Sequence, residues 1–170
     1  MGLPVFFGDM VLLKKRIPQA TEAVLKRFVR RACAAVKLSG TVNVLITNDR
    51  EMRTLNRRFR GKDAATDVLS FPAVPGLPGK LAGDLAISAE IATENSKQFG
   101  HSVPDEIKIL ILHGVLHLAG YDHETDSGQM AREEQRLHTA LKLPPSLIAR
   151  STFPAPSKPA PTKPALRRKR

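Results

Sequence analysis

The chain has 170 residues, of which 42% are hydrophobic, and its 27 Lys and Arg against 16 Asp and Glu give a formal net charge of +11. This length and composition favour one domain with a buried core and exclude wholesale disorder. The positive charge favours a polyanionic partner, either nucleic acid or an anionic membrane face. The single cysteine, Cys33, excludes an internal disulfide framework, and its small apolar neighbours predict a buried thiol. No apolar run is long enough for a membrane span, so we expect a reduced, cytoplasmic setting.

The predicted elements mix strands and helices along residues 1–150, which we interpret as one domain. A short edge strand is predicted at 5–7, an amphipathic helix at 21–38 and a β-branched strand at 41–47. The remaining predicted elements are a helix from Asn48 or Asp49 to 59, a strand at 67–71 stopped by Pro72, a loop at 73–83, a strand at 84–88, and helices at 89–99, 103–119 and 127–141. This order predicts an α+β fold, with a single small mixed β-sheet covered by helices.

Residues 151–170 form a second compositional unit. From Pro154 the chain reads PAPSKPAPTKPA, and it ends in a cluster of arginine and lysine at 167–170. This unit carries six basic residues and no acidic one. Alternating prolines favour extended polyproline II and offer no packed core, so we expect a disordered basic tail. The tail is either simply solvated or an electrostatic arm for RNA.

Three histidines follow one another in the segment 112–124, which reads LHGVLHLAGYDHE. His113 and His117 are four residues apart in a helix that is apolar on almost every face, so both rings project from one side of a buried helix. Gly120 can adopt a positive φ and end the helix, which lets His123 return towards the other two. Three imidazoles and one open position are typical of catalytic zinc. We expect one zinc ion per chain, although nickel, copper and iron also accept imidazole ligands.

The histidine spacing H-x-x-x-H-x-x-G-x-x-H is also that of the metzincin proteases. Those enzymes carry a glutamate general base where this chain has Gly114. The scaffold for a metal is therefore present, while the base of a peptidase is missing. The two remaining histidines of this half of the chain, His101 and His138, are predicted to be ordinary hydrogen-bonded core residues.

Arginines form a stripe along the predicted helix 49–59, beside its apolar seam. A solvated helix face is the ordinary interpretation, but arginine binds phosphate with two parallel hydrogen bonds, which favours RNA. With 7 Phe, 1 Tyr and no Trp in the chain, contacts to the RNA backbone are more expected than base stacking. The predicted RNA-binding residues are Arg50, Arg53, Arg57 and Lys62. Arg60 extends the stripe just past the end of the helix, and Arg58 adds charge beside it.

Three blocks of the sequence resemble a known family. LNRRFRGKDAATDVLSFP at 55–72, GDLAIS at 83–88 and HGVLHLAGYDH at 113–123 are similar to the signature blocks of the YbeY family of bacterial single-strand-specific endoribonucleases. The resemblance covers about residues 5–143 and implies a zincin-like α+β fold. It also implies zinc on His113, His117 and His123, with the family's arginine at Arg60 and its G-D aspartate at Asp84.

The resemblance implies hydrolysis of phosphodiester bonds during ribosomal RNA maturation, including the 3′ end of the small-subunit rRNA, and a role in ribosome quality control. The implied partners are ribosomal RNA and the small ribosomal subunit, with no membrane and no small-molecule cofactor. Zinc would acidify a water molecule, and Arg60 would stabilise negative charge on the phosphoryl group. The general base stays open between Asp84, Asp122 and the substrate's 2′-hydroxyl, and Asp122 is alternatively a residue that orients a histidine.

Two alternatives remain open at this point. One is a metallopeptidase-like zinc hydrolase that uses another base. The other is a non-enzymatic ribosome-assembly factor with a structural metal, which a fourth protein ligand would favour because structural zinc sites are closed.

Overall fold

The structure is a computed structural model that describes residues 9–74 and 80–144. Within these ranges the elements are β1 (Val11–Leu13), α1 (Glu22–Val36), β2 (Thr41–Thr47), α2 (Asp49–Arg60), β3 (Val68–Pro72), β4 (Leu81–Ser88), α3 (Ala89–Phe99), α4 (Val103–Leu118) and α5 (Gln129–Leu141). The predicted α+β class is confirmed. The predicted strand at 5–7 and the basic tail at 151–170 lie outside the described residues.

The four strands form one mixed sheet in the order β1-β2-β4-β3. β1, β2 and β4 run parallel, and β3 is an antiparallel edge strand on β4. Parallel strands need long crossover connections, and the helices between them supply these. Four helices begin at a serine, threonine or asparagine whose side chain accepts a hydrogen bond from a backbone N–H of the first turn. These N-cap residues are Thr21, Asn48, Ser88 and Ser102.

One face of the sheet builds the main core. In the register of β2 and β4, Val44 lies beside Leu85 and Ile46 beside Ile87, and all four side chains are buried. The central helix α4 packs on this face, and α1, α3 and α5 pack around it. Gly114 of α4 allows the close approach, because a Cβ built there would lie 2.6 Å from Cδ2 of Leu85. The prediction of a helix buried on almost every side is confirmed.

The other face of the sheet is covered by α2 through a small cluster of Met52, Leu69 and Ala86. The edge strand β3 contacts the helices on both faces of the sheet, because successive side chains of a strand point to opposite faces. The hydroxyl of Ser70 donates to the carbonyl of Gly114 on α4 at 3.4 Å, whereas Phe71 packs on the α2 side. β3 therefore links the helix that carries the histidines to the helix that carries the arginines.

Several element boundaries differ from those predicted, and three of the differences have a clear structural cause. β4 begins at Leu81 rather than residue 84, because Leu81 and Gly83 pair with β2 despite their place in a segment rich in proline and glycine. Pro72 is the last residue of β3 and pairs with Gly83, which an edge strand tolerates because proline lacks only the donor. The last helix begins at Gln129 rather than residue 127, since the carboxylate of Asp126 accepts from the first backbone N–H groups. The short strand β1 was not predicted.

Candidate metal centre

The three predicted ligands come together at the C-terminal end of α4. His113 is buried, His117 is half-buried and His123 is exposed, and their ligand atoms all lie within 4.8 Å of one another. The ring centroids are 4.8 Å apart for His113 and His117, and 5.3 Å apart for each of these with His123. The positions of His113 and His117 follow from helical spacing, whereas that of His123 depends on the turn that follows α4.

That turn is built by backbone and side-chain hydrogen bonds. Gly120 has a φ of 93°, and its N–H donates to the carbonyl of His117 at 3.0 Å, which reverses the chain as the sequence predicts. The carboxylate of Asp122 accepts from the N–H of Glu124 at 3.1 Å and from the hydroxyl of Thr125 at 2.9 Å. These hydrogen bonds lower the pKa of Asp122. Asp122 thus holds the loop that presents His123.

A buried glutamate orients the first histidine. Nδ1 of His113 lies 2.8 Å from Oε1 of Glu134, which α5 carries and which is fully buried. In its ionised form the carboxylate of Glu134 can only accept a hydrogen bond, and pairing with that form assigns the proton to Nδ1 of His113 and leaves the lone pair of Nε2 free. Nε2 of His113 lies 3.1 Å from Nε2 of His117, so the free lone pair faces the other histidine. A carboxylate behind a metal-binding histidine is a common supporting contact.

The donor set fits a metal ion that prefers nitrogen. Two imidazole nitrogens bound tetrahedrally at 2.0–2.1 Å from one ion would be roughly 3.3 Å apart, close to the observed spacing of the two Nε2 atoms. Burial first, and then the two neighbouring imidazoles, lower the pKa of His117, so its ring is neutral at pH 7 and able to bind a cation. Across residues 9–74 and 80–144, three potential ligands converge here and a fourth does not.

Glu134 is the site residue that sequence reasoning missed. Its signal lies in the periodicity of α5, where Glu134 takes a position on the same buried stripe as Met130 and Leu137. A carboxylate on the apolar stripe of a helix needs a partner inside the fold. The two histidines predicted to be core residues are confirmed as such, since His101 Nε2 lies 2.6 Å from buried Glu106 and His138 Nδ1 hydrogen-bonds the carbonyl of Pro144.

The arginines of the stripe on α2 are exposed, but they differ in whether a carboxylate already pairs with them. Arg53 forms two hydrogen bonds with the carboxylate of Asp63, at 2.8 and 2.7 Å, which lower the pKa of Asp63. The guanidinium of Arg53 thus already has a carboxylate partner, which its place in the stripe did not indicate. Within the described part of the chain, the other predicted RNA-binding residues, Arg50, Arg57 and Lys62, form no ion pair, and neither does the predicted catalytic residue Arg60.

The two predicted catalytic residues lie on the α2 side of the sheet. Arg60 is the last residue of α2, before the cap residue Gly61. Asp84 is exposed on β4 and accepts a hydrogen bond at 2.9 Å from the side-chain amide of Asn43. Asp84 is also the strand neighbour of Phe71, and the adjacent Gly83 packs against Leu118 at the end of α4. β4 therefore brings the Asp84 region up to the end of the helix that carries the histidines.

Comparisons with known proteins identify the family. The family described as endoribonuclease YbeY matches residues 9–142. An endoribonuclease YbeY from Koribacter versatilis is 54% identical over 146 residues, which cover 86% of this chain and 94% of that protein. The protein of the same name from Solibacter usitatus is 48% identical over 143 residues, which cover 84% and 95%.

A solved structure shows the same fold. The solution structure of TM1509 from Thermotoga maritima superimposes with a TM-score of 0.53 at 26% identity, over 89% of this chain and 97% of that one. Among the described residues, no helix has the length and apolar character needed to cross a bilayer. The motifs, the converged histidines and these similarities lead to one conclusion: the chain belongs to the endoribonuclease YbeY family.

Proposed function

We propose that this chain is a zinc-dependent endoribonuclease that hydrolyses phosphodiester bonds of single-stranded ribosomal RNA. The observation that carries the proposal is the convergence of three imidazoles, backed by the buried Glu134, in a chain of this family. We assign His113, His117 and His123 as the metal ligands. When bound, the ion would supply Lewis-acid chemistry, acidifying water and polarising a phosphoryl oxygen.

The chain's own residues position and stabilise the reacting groups in this proposal. Glu134 fixes the tautomer and direction of His113. Arg60 stabilises the negative charge that grows on the phosphoryl oxygens, since its exposed guanidinium can make two parallel hydrogen bonds to them. Asp84 is the second proposed catalytic residue. Asp122 is assigned instead to the turn that presents His123, because both of its oxygens accept hydrogen bonds there.

The proposed substrate surface includes α2. Arg50, Arg57 and Lys62 are exposed cations that would contact phosphates. Arg53 is the fourth proposed contact, and a phosphate there would compete with Asp63 for its guanidinium. We extend the proposal to maturation of the 3′ end of small-subunit rRNA, ribosome quality control, association with the small ribosomal subunit and a cytoplasmic location. Residues 1–150 are the proposed catalytic domain, and the basic tail at 151–170 is the proposed electrostatic arm.

The packing of Gly114 argues against a peptidase. A Cβ at this position would lie 2.6 Å from Cδ2 of Leu85 and 3.3 Å from the hydroxyl of Ser70, so a glutamate there would have to displace packed side chains of the sheet. A closed structural metal site is also disfavoured, because three ligands converge among the described residues and structural zinc takes four.

The test is a substrate comparison with defined metal content. Metal-stripped protein, with and without added zinc, is incubated with single-stranded RNA, with the same RNA as a duplex, with precursor rRNA and with a denatured protein. We expect zinc-dependent cleavage of the single strand and of precursor rRNA only. Cleavage of the denatured protein, or intact RNA in the presence of zinc, would overturn the proposal.

A further inference from the structure

Phe59 is an aromatic side chain that the fold leaves in water. Its side chain is 57% exposed at the C-terminal end of α2, on the helix seam that carries the buried Met52. Exposed apolar residues that stand alone are common in soluble proteins. Exposure by itself therefore does not indicate a ligand, whereas the surroundings of the Phe59 ring do.

The ring is held in place from one side. The centroids of Phe59 and Phe71 lie 5.1 Å apart with an interplanar angle of 66°, which is the edge-to-face arrangement that aromatic pairs favour. Phe71 belongs to the strand β3, so its position is set by the sheet. An aromatic surface that is already oriented loses little freedom when a ligand stacks on it.

The exposed ring lies in a strongly basic segment of the chain, and one cation contacts it. Arg57, Arg58, Arg60 and Lys62 are all exposed, and the segment 57–62 contains no acidic residue. The guanidinium carbon of Arg58 lies 5.4 Å from the centroid of Phe59. In the described part of the chain Arg58 has no ion-pair partner, so its guanidinium is available to move from the ring to a phosphate. An exposed aromatic side chain in a basic surface is the combination with which proteins bind single-stranded nucleic acids.

The position of the ring relates it to the proposed chemistry. Phe59 directly precedes Arg60, and its partner Phe71 is the strand neighbour of Asp84. A base on Phe59 would thus belong to a nucleotide beside both proposed catalytic residues. Bases in a duplex are paired and stacked and do not offer a free face, so such a contact also selects single strands.

We propose that Phe59 is a stacking platform for one nucleobase of single-stranded RNA, with Arg58 and Lys62 on the neighbouring phosphates. This inference rests on the proposed function and adds a specificity-determining contact to it. Because every base has a π face, the platform distinguishes single from double strands and tolerates changes of sequence.

The absence of tryptophan from the chain allows a direct test. Phe59→Trp places a single fluorescent indole at the platform. Titration with a short single-stranded RNA should quench its emission, because a stacked base contacts the indole directly. An abasic oligomer of the same length and heparin carry the negative charges without the bases, and both should leave the emission nearly unchanged.

Leu12→Trp is the matched control. Leu12 is 46% exposed on β1, the opposite edge of the sheet from β3, so its indole should not respond to any of the three ligands. Equal quenching of the Phe59→Trp protein by heparin and by RNA would overturn the proposal, since it would indicate charge without stacking. Unchanged emission at saturating RNA would also overturn it, as expected if the ring instead docks a protein.

A second variant tests the contribution to binding without a probe. Phe59→Leu keeps an apolar contact with Phe71 and removes the π face, and it should weaken single-stranded RNA binding by roughly tenfold, the lower range for one stacked base. Binding equal to that of the wild type would contradict the platform. If wild-type protein with zinc cleaves no RNA, the proposed function fails. If it cleaves RNA and neither Phe59 variant behaves as expected, only this inference fails.

Discussion

A hydrogen bond joins Glu134 of α5 to His113 of the histidine cluster, with Oε1 and Nδ1 2.8 Å apart. The two residues are 21 positions apart in sequence, and the glutamate is fully buried. The contact sets which nitrogen of His113 carries the proton and leaves the other one free for a metal. The helix α5 is therefore part of the site although it supplies no ligand.

We expect Glu134→Leu to reduce zinc affinity by about 10–100-fold, the usual effect of removing such a supporting contact. Glu134→Gln keeps an acceptor oxygen without the charge, so it should have a smaller effect. Competition with a chromophoric chelator measures both. Glu133→Gln is the matched control, because the neighbouring Glu133 pairs with Arg136 at 2.6 Å on the surface of the same helix. Equal zinc affinity in the Leu variant and the control would refute the role of Glu134.

His117→Ala should abolish stoichiometric zinc, because two imidazoles do not hold the ion as three do. Elemental analysis of the dialysed protein measures the metal content. Removal of metal should also lower the melting temperature of the wild type and leave that of His117→Ala unchanged, since an ion that binds only the folded chain stabilises it. His101→Gln, outside the cluster, should retain the ion. A His117→Ala protein with one zinc per chain would disprove the ligand assignment.

Arg60→Ala should lower RNA turnover by roughly 10²–10³-fold, the usual effect of losing one donor to a charged transition state. Zinc content and melting temperature should not change, because Arg60 is exposed. Arg60→Lys should restore only part of the rate, since an ammonium group cannot make the bidentate contact. Arg27→Ala removes the same charge from the surface of α1 and serves as the control. Turnover in Arg60→Ala equal to that of the control would exclude the proposed role.

Cys33 should resist alkylation in the folded protein. Burial first, and then the nearby carboxylate of Asp9, raise the pKa of the Cys33 thiol to about 11. Iodoacetamide reacts with the thiolate, so at pH 8 the folded chain should react at least about a hundredfold more slowly than the urea-unfolded chain. Mass spectrometry of timed samples measures the two rates. Similar rates would show that the thiol is accessible.

The same shift predicts how stability changes in alkali. Above the ordinary thiol pKa of 9.0 the unfolded chain loses the Cys33 proton, whereas the folded chain keeps it until about pH 11. The unfolded state binds fewer protons in this window, so the free energy of unfolding should fall as pH rises through it. Cys33→Ala should lessen that fall. A slope that Cys33→Ala leaves unchanged would contradict the assignment.

Deletion of residues 153–170 should weaken RNA binding without changing zinc content or melting temperature. Six positive charges are lost with the tail. If each contacted one phosphate of a single strand, the slope of log affinity against log salt would flatten by up to about 4. Partial contact makes a change of about one to two units the expected result. An unchanged slope would mean that the tail does not contribute, and loss of zinc would mean that it packs on the domain.

Much of the architecture follows from local patterns. The strand at 41–47, the caps at Asn48 and Ser102, and the histidine pair of α4 depend on residues within a few positions of each other, so periodicity and capping were sufficient to predict them. The positive φ of Gly120 was predicted for the same reason. The sequence shows Gly114 where a peptidase has its glutamate base, but only the tertiary structure shows that a side chain there would have to displace the packed side chain of Leu85.

Contacts between distant segments decided the rest. The sequence by itself determined that three histidines share one short segment, while the tertiary structure supplied Glu134 from α5 and tied Arg53 to Asp63. It also extended β4 back to Leu81 through pairing with β2. Local propensity is a weak preference that strand pairing and burial override. Periodicity places Glu134 on the buried stripe of α5, but it does not identify His113 as the partner. The elements and the ligand spacing were therefore determined locally, whereas the orientation and surroundings of the site required the whole fold.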